Sequence, residues 1–290
     1  KPDSKQTRKF KEAGTIKMKV LITLLLLTIA LSFMNTSKSD VKTRLLIARE
    51  CVGCFLENAD LQQLDLEGVN LENANLKQAN LHQTNLNKAN LKNANLQQTR
   101  LTEAQLKQAN LTKANLFEAN LSKSNLEEAT LEGANLVNAN LGKSTLKNAN
   151  LSQALLKGSK LCNSNLEGAN LEQADLSTYQ EWPTFLHRVN LQKSNLKQSN
   201  LQGAWLVDAQ LMEANLQETN FNYANLKGAN LAGANLTHSR LDSAVLEQVN
   251  FCGTIMSNGA ISLKGCSVQG IYDFSPNNYR KHYSINRSFD

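Results

Sequence analysis

The residues with chemical potential are few and do not converge. Five cysteines and four histidines stand in 290 residues, and the one tight pair among them is Cys51-x-x-Cys54. That spacing serves a zinc ion or a dithiol redox centre when a second pair of ligands stands nearby. Here none follows, because His82, His187, His238 and His282 are isolated from one another. No metal or cofactor site is expected. The chain contains no G-x-G-x-x-G, no P-loop and no G-x-S-x-G, so the usual phosphate cradles and nucleophile elbow are missing. Asp and Glu are scattered singly, without the convergence that acid–base catalysis needs. The expected protein is not an enzyme.

Cysteines have a second use, which depends on compartment. In an oxidising environment Cys51–Cys54 and Cys252–Cys266 are candidate disulfides near the two ends of the patterned region. The alternative for Cys51 and Cys54 is burial as small side chains, since both fall on inward positions of the grid described below. Cys162 follows Leu161 on an outward position and is the leftover thiol.

Charge points to export. The formal charge is +6, from 31 Lys and Arg against 25 Asp and Glu. Residues 1–19 hold seven basic and two acidic residues, hence +5, whereas from Asp40 onward 23 basic residues meet 23 acidic ones. The basic balance is a property of the leader, and no nucleic acid is expected as a partner. Val20–Phe33 is a 14-residue apolar run, short of the roughly 20 that a span needs. With its basic flank and the Ala30-Leu31-Ser32 site, it has the form of a secretory signal peptide. Met18-Lys19 before the run would be a better initiator than Lys1. Residues 1–39 are assigned to this leader, with no stable membrane span after cleavage. Three prolines and a mean hydropathy of -0.39 exclude a proline-rich disordered chain and a polytopic membrane protein.

The elements that position everything else come from a period of five. Between Leu61 and Phe251 there are 39 sites at that spacing; 36 are Leu, and the exceptions are Glu181, Phe221 and Phe251. Two residues before each site stands a small side chain (Ala74, Ala79, Thr84, Ala89), and one before it is usually Asn (Asn70, Asn75, Asn80, Asn85). A helix turns about 100° per residue, so successive Leu would step about 140° and leave no apolar face. A flat strand, with a side-chain period of two, would send alternate Leu to opposite sides. The pattern works if the chain bends at every pentapeptide and all Leu point to a common axis. Four bends close a coil of about 20 residues, and coils stacked at about 4.8 Å bond to each other. Asn before Leu is expected at the corner, bonding nearby backbone and stacking in ladders. About ten coils give a rod roughly 47 Å long.

The segment NANLKQANLHQTNLNKANLKNANL at 73–96 resembles the pentapeptide-repeat family, whose motif is A(D/N)Lxx. The resemblance covers roughly two-thirds of the chain. It implies an all-β fold, a right-handed quadrilateral β-helix, here of about ten coils with a short N-terminal helical cap. CVGCFLENADL at 51–61, together with the end at 252–259, looks most like exported cyanobacterial members.

The organisation follows. Residues 40–55 form the expected cap, which shields an open solenoid end; residues 56–253 are the β-helix. Residues 254–290 supply a C-terminal cap and polar tail, with Asn258-Gly259 as a hairpin signal. The pattern stumbles at 177–188 (STYQEWPTFLHR), yet Leu176 and Leu191 keep phase. This stretch is either two degenerate pentapeptides or a loop bulging from one face. It concentrates aromatics in an aromatic-poor chain: Tyr179, Trp182 and Phe185, with Trp205 set 20 residues beyond Phe185. These four are the candidate interaction residues, the alternative being an irregularity that packs on itself. Arg100, Lys160 and Arg240 are expected on one common face.

The expected function is a non-enzymatic structural or protein-interaction rod, exported to the periplasm or thylakoid lumen, monomeric or weakly dimeric end to end, with an unidentified protein partner. The family resemblance implies one alternative, a DNA-mimic inhibitor of a type II topoisomerase of the quinolone-resistance kind. Those are acidic cytoplasmic dimers, whereas the balance from Asp40 onward is neutral.

Overall fold

The structure, a computed structural model, describes residues 45–266. The expected signal peptide, residues 40–44 of the expected cap and the polar tail from 267 lie outside the described residues. Of that cap, residues 45–48 are helical, and bridging begins already at Glu50, paired with Asn70.

Each pentapeptide repeats one backbone unit. After the central Leu come two turn residues, and the N–H of the small residue donates to the Leu carbonyl, as from Ala74 to Leu71 at 3.0 Å. The second turn residue is left-handed, with φ between 52° and 61° wherever it is not glycine. That conformation is uncommon for residues with a Cβ. It is held here from both sides: the second turn residue donates its own N–H to the next coil, as from Gln78 to the Gln97 carbonyl at 2.8 Å. The residue before each Leu then lies flat and forms a parallel bridge with its counterpart on the next coil.

The bridges sort into four columns, one for each pentapeptide of a coil. The first side runs from Glu50 through Asn70 and Asn170 to Ile255; the second runs from Phe55 through Asn75 and Asp175 to Arg240. The third runs from Asp60 through Lys160, Phe185 and Trp205 to Val245, and the fourth from Asp65 through Asn85 to Asn250. The result is a four-sided β-helix. Coils are tied in both directions: Leu76 N–H donates to the Asn95 carbonyl at 2.7 Å, and Asn95 N–H donates back to the Ala74 carbonyl at 2.9 Å.

Side chains at the central and small positions fill the interior. Leu71, Ala74, Leu76 and their equivalents are fully buried, as are Phe221 and, almost fully, Phe251. Burial of each Leu contributes about 1.5–3 kcal/mol. Small polar residues are tolerated because their hydroxyls find carbonyls: Thr84 Oγ1 donates to Leu61 O at 2.8 Å and Ser124 Oγ to Leu121 O at 2.6 Å.

Three expectations are corrected by this geometry. Asn does not stand at the corner; it lies on the flat side, and the bend falls on the two residues after Leu. Its side chain still serves that bend, since Asn75 Oδ1 accepts the N–H of Lys77 at 3.2 Å. Glu181 is not a core site that lost its Leu: it is exposed. Arg240 does not share a face with Arg100 and Lys160, because the chain between Lys160 and its bridging partner Phe185 is 25 residues long. From there on every side is reached five residues later, which places Arg240 above Asn220 on the second side.

At the C-terminal end, β1 (Thr254–Ile255) and β2 (Ile261–Ser262) form an antiparallel hairpin around Asn258-Gly259. Gly259 takes φ 83°, and Asn258 Oδ1 accepts the Ala260 N–H at 3.0 Å. Disulfides join Cys51 to Cys54 in the first coil and Cys252 to Cys266 across the hairpin. Cys162 is free and half-buried.

Candidate functional site

The five additional residues leave the coil as a loop at the corner between the second and third sides. An ordinary unit would reach its next small residue three places after Leu176. Here Thr184 takes that place, fully buried. In between, Tyr179 and Trp182 exchange backbone bonds at 2.8 and 2.9 Å, with Gln180 and Glu181 in the turn. The choice between two degenerate pentapeptides and a bulging loop is thereby decided for the loop.

Thr184 closes its base. The Oγ1 lies 2.8 Å from the Ser177 carbonyl and 3.1 Å from the Leu156 carbonyl, and it accepts the Gly158 N–H at 3.0 Å. Room is made by glycines on the coils before and after. A Cβ on Gly158 would stand 2.9 Å from Tyr179 Cβ, and one on Gly203 would stand 2.8 Å from Thr178 Cγ2. Both glycines also take left-handed turns, at φ 65° and 68°.

Next to the loop lies an aromatic platform on the third side. Phe185 and Trp205 bridge as expected from their spacing, with ring centroids 5.5 Å apart and planes at 81°. His187 completes it, 6.2 Å from Phe185 and nearly parallel, and 5.8 Å from Trp205. Cys162 Sγ lies 3.9 Å from His187 Nδ1 on the preceding coil. Trp182 is 64% exposed and Trp205 43%.

Two members escaped the sequence pattern. Tyr223, also 64% exposed, occupies the left-handed turn position at the same corner, two coils beyond the loop. His187 stands apart from the other histidines, and two of its neighbours, Cys162 and Trp205, come from adjacent coils. The plain 20-residue spacing, which holds from Phe185 onward, finds both. With Phe55 on the second side and Phe117 at the second–third corner, every solvent-reaching Phe, Tyr and Trp among the described residues lies on the second side, the third side or their shared corner.

Charges flank this platform in balanced form. Lys157 pairs with Asp175 at 3.0 Å and Arg188 with Asp208 at 3.6 Å, leaving Lys160 and Glu181 outside these pairs. The carboxylate held below its usual range at the third–fourth corner, Glu103, lies away from the platform; hydrogen bonds from Gln83 and then Lys123 lower it. Among the described residues no group of three or more His, Cys, Asp or Glu is placed to hold a metal ion. No helix among them is long and apolar enough to cross a membrane.

The fold and its site define a solenoid repeat protein with a flat polar exterior and an aromatic platform beside one corner. A family model described as "Pentapeptide repeat region" matches residues 53–131. One described as "Pentapeptide repeats (8 copies)" matches 114–153, 143–177, 186–217, 194–231, 209–248 and 219–258. The matches break between 177 and 186, where the loop departs. The chain belongs to the pentapeptide-repeat family.

Among solved structures, it is similar to HetL from the cyanobacterium Nostoc sp. Strain PCC 7120, a pentapeptide repeat protein involved in heterocyst differentiation regulation. That similarity is 31% identity over 72% of this chain and 92% of HetL, with a TM-score of 0.24. It is also similar to QnrB1, a plasmid-mediated fluoroquinolone resistance protein, at 14% identity over 69% of this chain and 90% of that one, TM-score 0.35. A pentapeptide repeat protein from the Arabidopsis thaliana thylakoid lumen is 28% identical over 41% of this chain and 66% of that one, TM-score 0.21. No curated protein matches by sequence.

Proposed function

We propose that this protein is a non-enzymatic scaffold of an extracytoplasmic compartment, periplasm or thylakoid lumen. In this reading it is a right-handed rod of about ten coils, single or weakly paired end to end, that presents its aromatic side to a protein partner. The observation that carries the reading is the segregation of solvent-reaching aromatics to the second and third sides and the corner between them. Exposed aromatics brought together next to a loop on a rigid frame are the usual raw material of an interface. Disulfides at both ends support an oxidising compartment. The topoisomerase alternative requires an acidic exterior, whereas here opposite charges interleave between coils, as in Lys88–Glu67, Lys123–Glu103 and Lys227–Glu247.

The test is affinity capture from the native extracytoplasmic fraction with wild type and with Trp182→Ala/Phe185→Ala. A partner retained by wild type and lost by the variant at unchanged melting temperature supports the reading. Equal capture by both proteins, or a variant that unfolds because the loop is structural packing, sinks it.

A further inference from the structure

We propose that the chain following Cys266 completes the C-terminal cap, adding an extended strand over the half of the last coil that the hairpin leaves open. This goes beyond the partner reading and does not depend on it.

Three observations at that end carry it. The first is the backbone edge. One coil earlier, the N–H groups that point to the next coil on the second and third sides are all met. Phe221 N–H donates to the Arg240 carbonyl at 2.8 Å, Tyr223 to Asp242 at 2.9 Å and Leu226 to Val245 at 3.0 Å. In the last coil the hairpin meets the N–H groups of the fourth side and the corner beyond it. Phe251 donates to the Lys264 carbonyl at 2.9 Å and Gly253 to Ser262 at 2.8 Å. The N–H groups of Leu241, Ser243 and Leu246 and the carbonyls of Ser239 and Ala244 have no backbone partner among the described residues. Such an unpaired run is a template for an added strand.

The second is the core. Phe221, Ala224 and Leu226 are fully buried, whereas Leu241, Ala244 and Leu246, one coil later, are only half-buried. Under the hairpin, Phe251 and Thr254 are covered. The third is Ser239. Other buried serines at its position turn the hydroxyl onto the Leu carbonyl three residues before, as Ser194 does to Leu191 at 2.6 Å and Ser199 to Leu196 at 2.7 Å. Ser239 is 7% exposed, and its Oγ has no hydrogen-bond partner among the described residues. Buried hydroxyls are normally met, and Ser239 stands where the open half begins.

The occupant is selected by where the chain goes. It runs back over the coil it has just built: Ile261 pairs with Ile255 and Ser262 with Thr254. Gly265 lies against Asn250, where a Cβ would stand 3.2 Å from Asn250 Cα. The Cys252–Cys266 disulfide, with Cα atoms 4.7 Å apart, pins it there. The fourth side adjoins the third, so the chain leaves Cys266 at the border of the open half. The eight residues Ser239–Leu246 need about 26 Å of extended chain, and at least 24 residues follow Cys266. Val268, Ile271, Tyr272 and Phe274 stand within the first eight of them, apolar groups for Leu241, Ala244 and Leu246. A tethered segment acts at a millimolar effective concentration, which places it ahead of a second copy or a foreign strand at the same edge. An uncapped solenoid end invites association, and the added strand keeps the rod single.

The experiment follows amide hydrogen exchange at Leu241, Ser243 and Leu246 in the full chain and in a chain ended after Cys266, which keeps both disulfides. In the full chain these amides should exchange at least about tenfold more slowly than in the shortened one. A synthetic peptide of residues 267–290, added to the shortened chain at millimolar concentration, should restore the protection. Ile271→Asp/Phe274→Asp in the full chain should lose it, and this variant decides the matter if the shortened chain fails to fold. Free exchange at all three amides in the full chain overturns the proposal, as does unchanged protection in the double variant or in the shortened chain. Protection that disappears on dilution overturns it too, because a second copy would then be the strand on that edge.

Discussion

The first and third sides share one backbone and differ in what stands on it. On the first side Asn90 donates to Asn70 at 3.0 Å, Asn110 to Asn90 at 3.3 Å, Asn170 to Asn150 at 3.2 Å and Asn215 to Asn195 at 3.0 Å. On the third side Asn80 donates to Asp60 at 3.2 Å, and beyond it the column passes through Arg100, Lys160, Phe185, Trp205 and Val245. Yet the coil-to-coil backbone bonds are short on both: Leu171 N–H reaches Asn195 O at 2.6 Å and Leu186 N–H reaches Trp205 O at 2.8 Å. The amide ladder is therefore dispensable to the coil, and a side that gives it up can carry other chemistry. Leu burial and the backbone ladder hold the fold; the residue before Leu is free to specialise.

The largest expected effect falls on both sides alike. Leu171→Ala on the first side and Leu186→Ala on the third should each cost about 2–5 kcal/mol by transfer loss and cavity, read as a lowered denaturation midpoint. If Leu186→Ala cost far less, the third side would not share the core, and the comparison would fail.

A smaller loss, confined to the third side, is expected of Thr184→Val. It keeps shape and removes the hydroxyl that ties Gly158, Leu156 and Ser177, leaving buried partners unmet at about 1–3 kcal/mol. Hydrogen exchange should quicken at Tyr179 and Trp182, whose bonds depend on the loop base, and stay unchanged at Asn90 and Asn110. Uniform quickening on both sides would show that the loop is part of the global unit instead of a local addition.

Glycine substitutions separate strain from crowding. Gly133 and Gly203 both hold left-handed turns, at φ 62° and 68°, so Ala at either brings backbone strain of about 1–2 kcal/mol. A Cβ on Gly133 meets Lys113 Cγ at an ordinary 3.5 Å, whereas one on Gly203 meets Thr178 Cγ2 at 2.8 Å. Gly203→Ala should cost more than Gly133→Ala, and adding Thr178→Ser should recover the difference. Equal costs would mean that the loop does not lean on that corner.

How much of this was legible in the sequence depends on what a period can record. Thirty-six Leu on a five-residue grid specify the coil, its core and the inward small residue, because only one backbone puts every fifth side chain on an axis. The period does not say where in the five the bend falls, which is why Asn looked like a corner residue although it lies flat. It is also blind to an insertion of its own length. Five additional residues leave Leu176 and Leu191 in phase while moving every later residue one side around, so Arg240 was assigned to the wrong face. Phe185 and Trp205 escaped that error since both follow the insertion. Tyr223 is legible in the same way, since plain 20-residue counting from it passes through Gly203 to Pro183 in the loop, but the period gives no reason to single out a turn position. For the cysteines, an oxidising compartment permits pairing, and position near each end of the patterned region names the partners.

The smallest expected change in stability is also the sharpest division between the two sides. Trp205→Asn converts the third side locally into the first. It gives Asn225 Nδ2 an acceptor, a hydrogen bond contributing about 0.5–1.5 kcal/mol. It removes the edge contact with Phe185, which contributes about 0.5–1.5 kcal/mol beyond area burial. The two terms nearly cancel, and the half-buried indole also gives up some apolar area, so the melting temperature should fall slightly. Partner capture should nevertheless be lost, because the variant takes away a platform ring. A variant that melts like wild type and no longer binds would separate what the third side does for the fold from what it does for a ligand. A variant that melts far lower would mean that the aromatic platform holds the coils together as the amide ladder does elsewhere, and the contrast between the sides would be one of means and not of purpose.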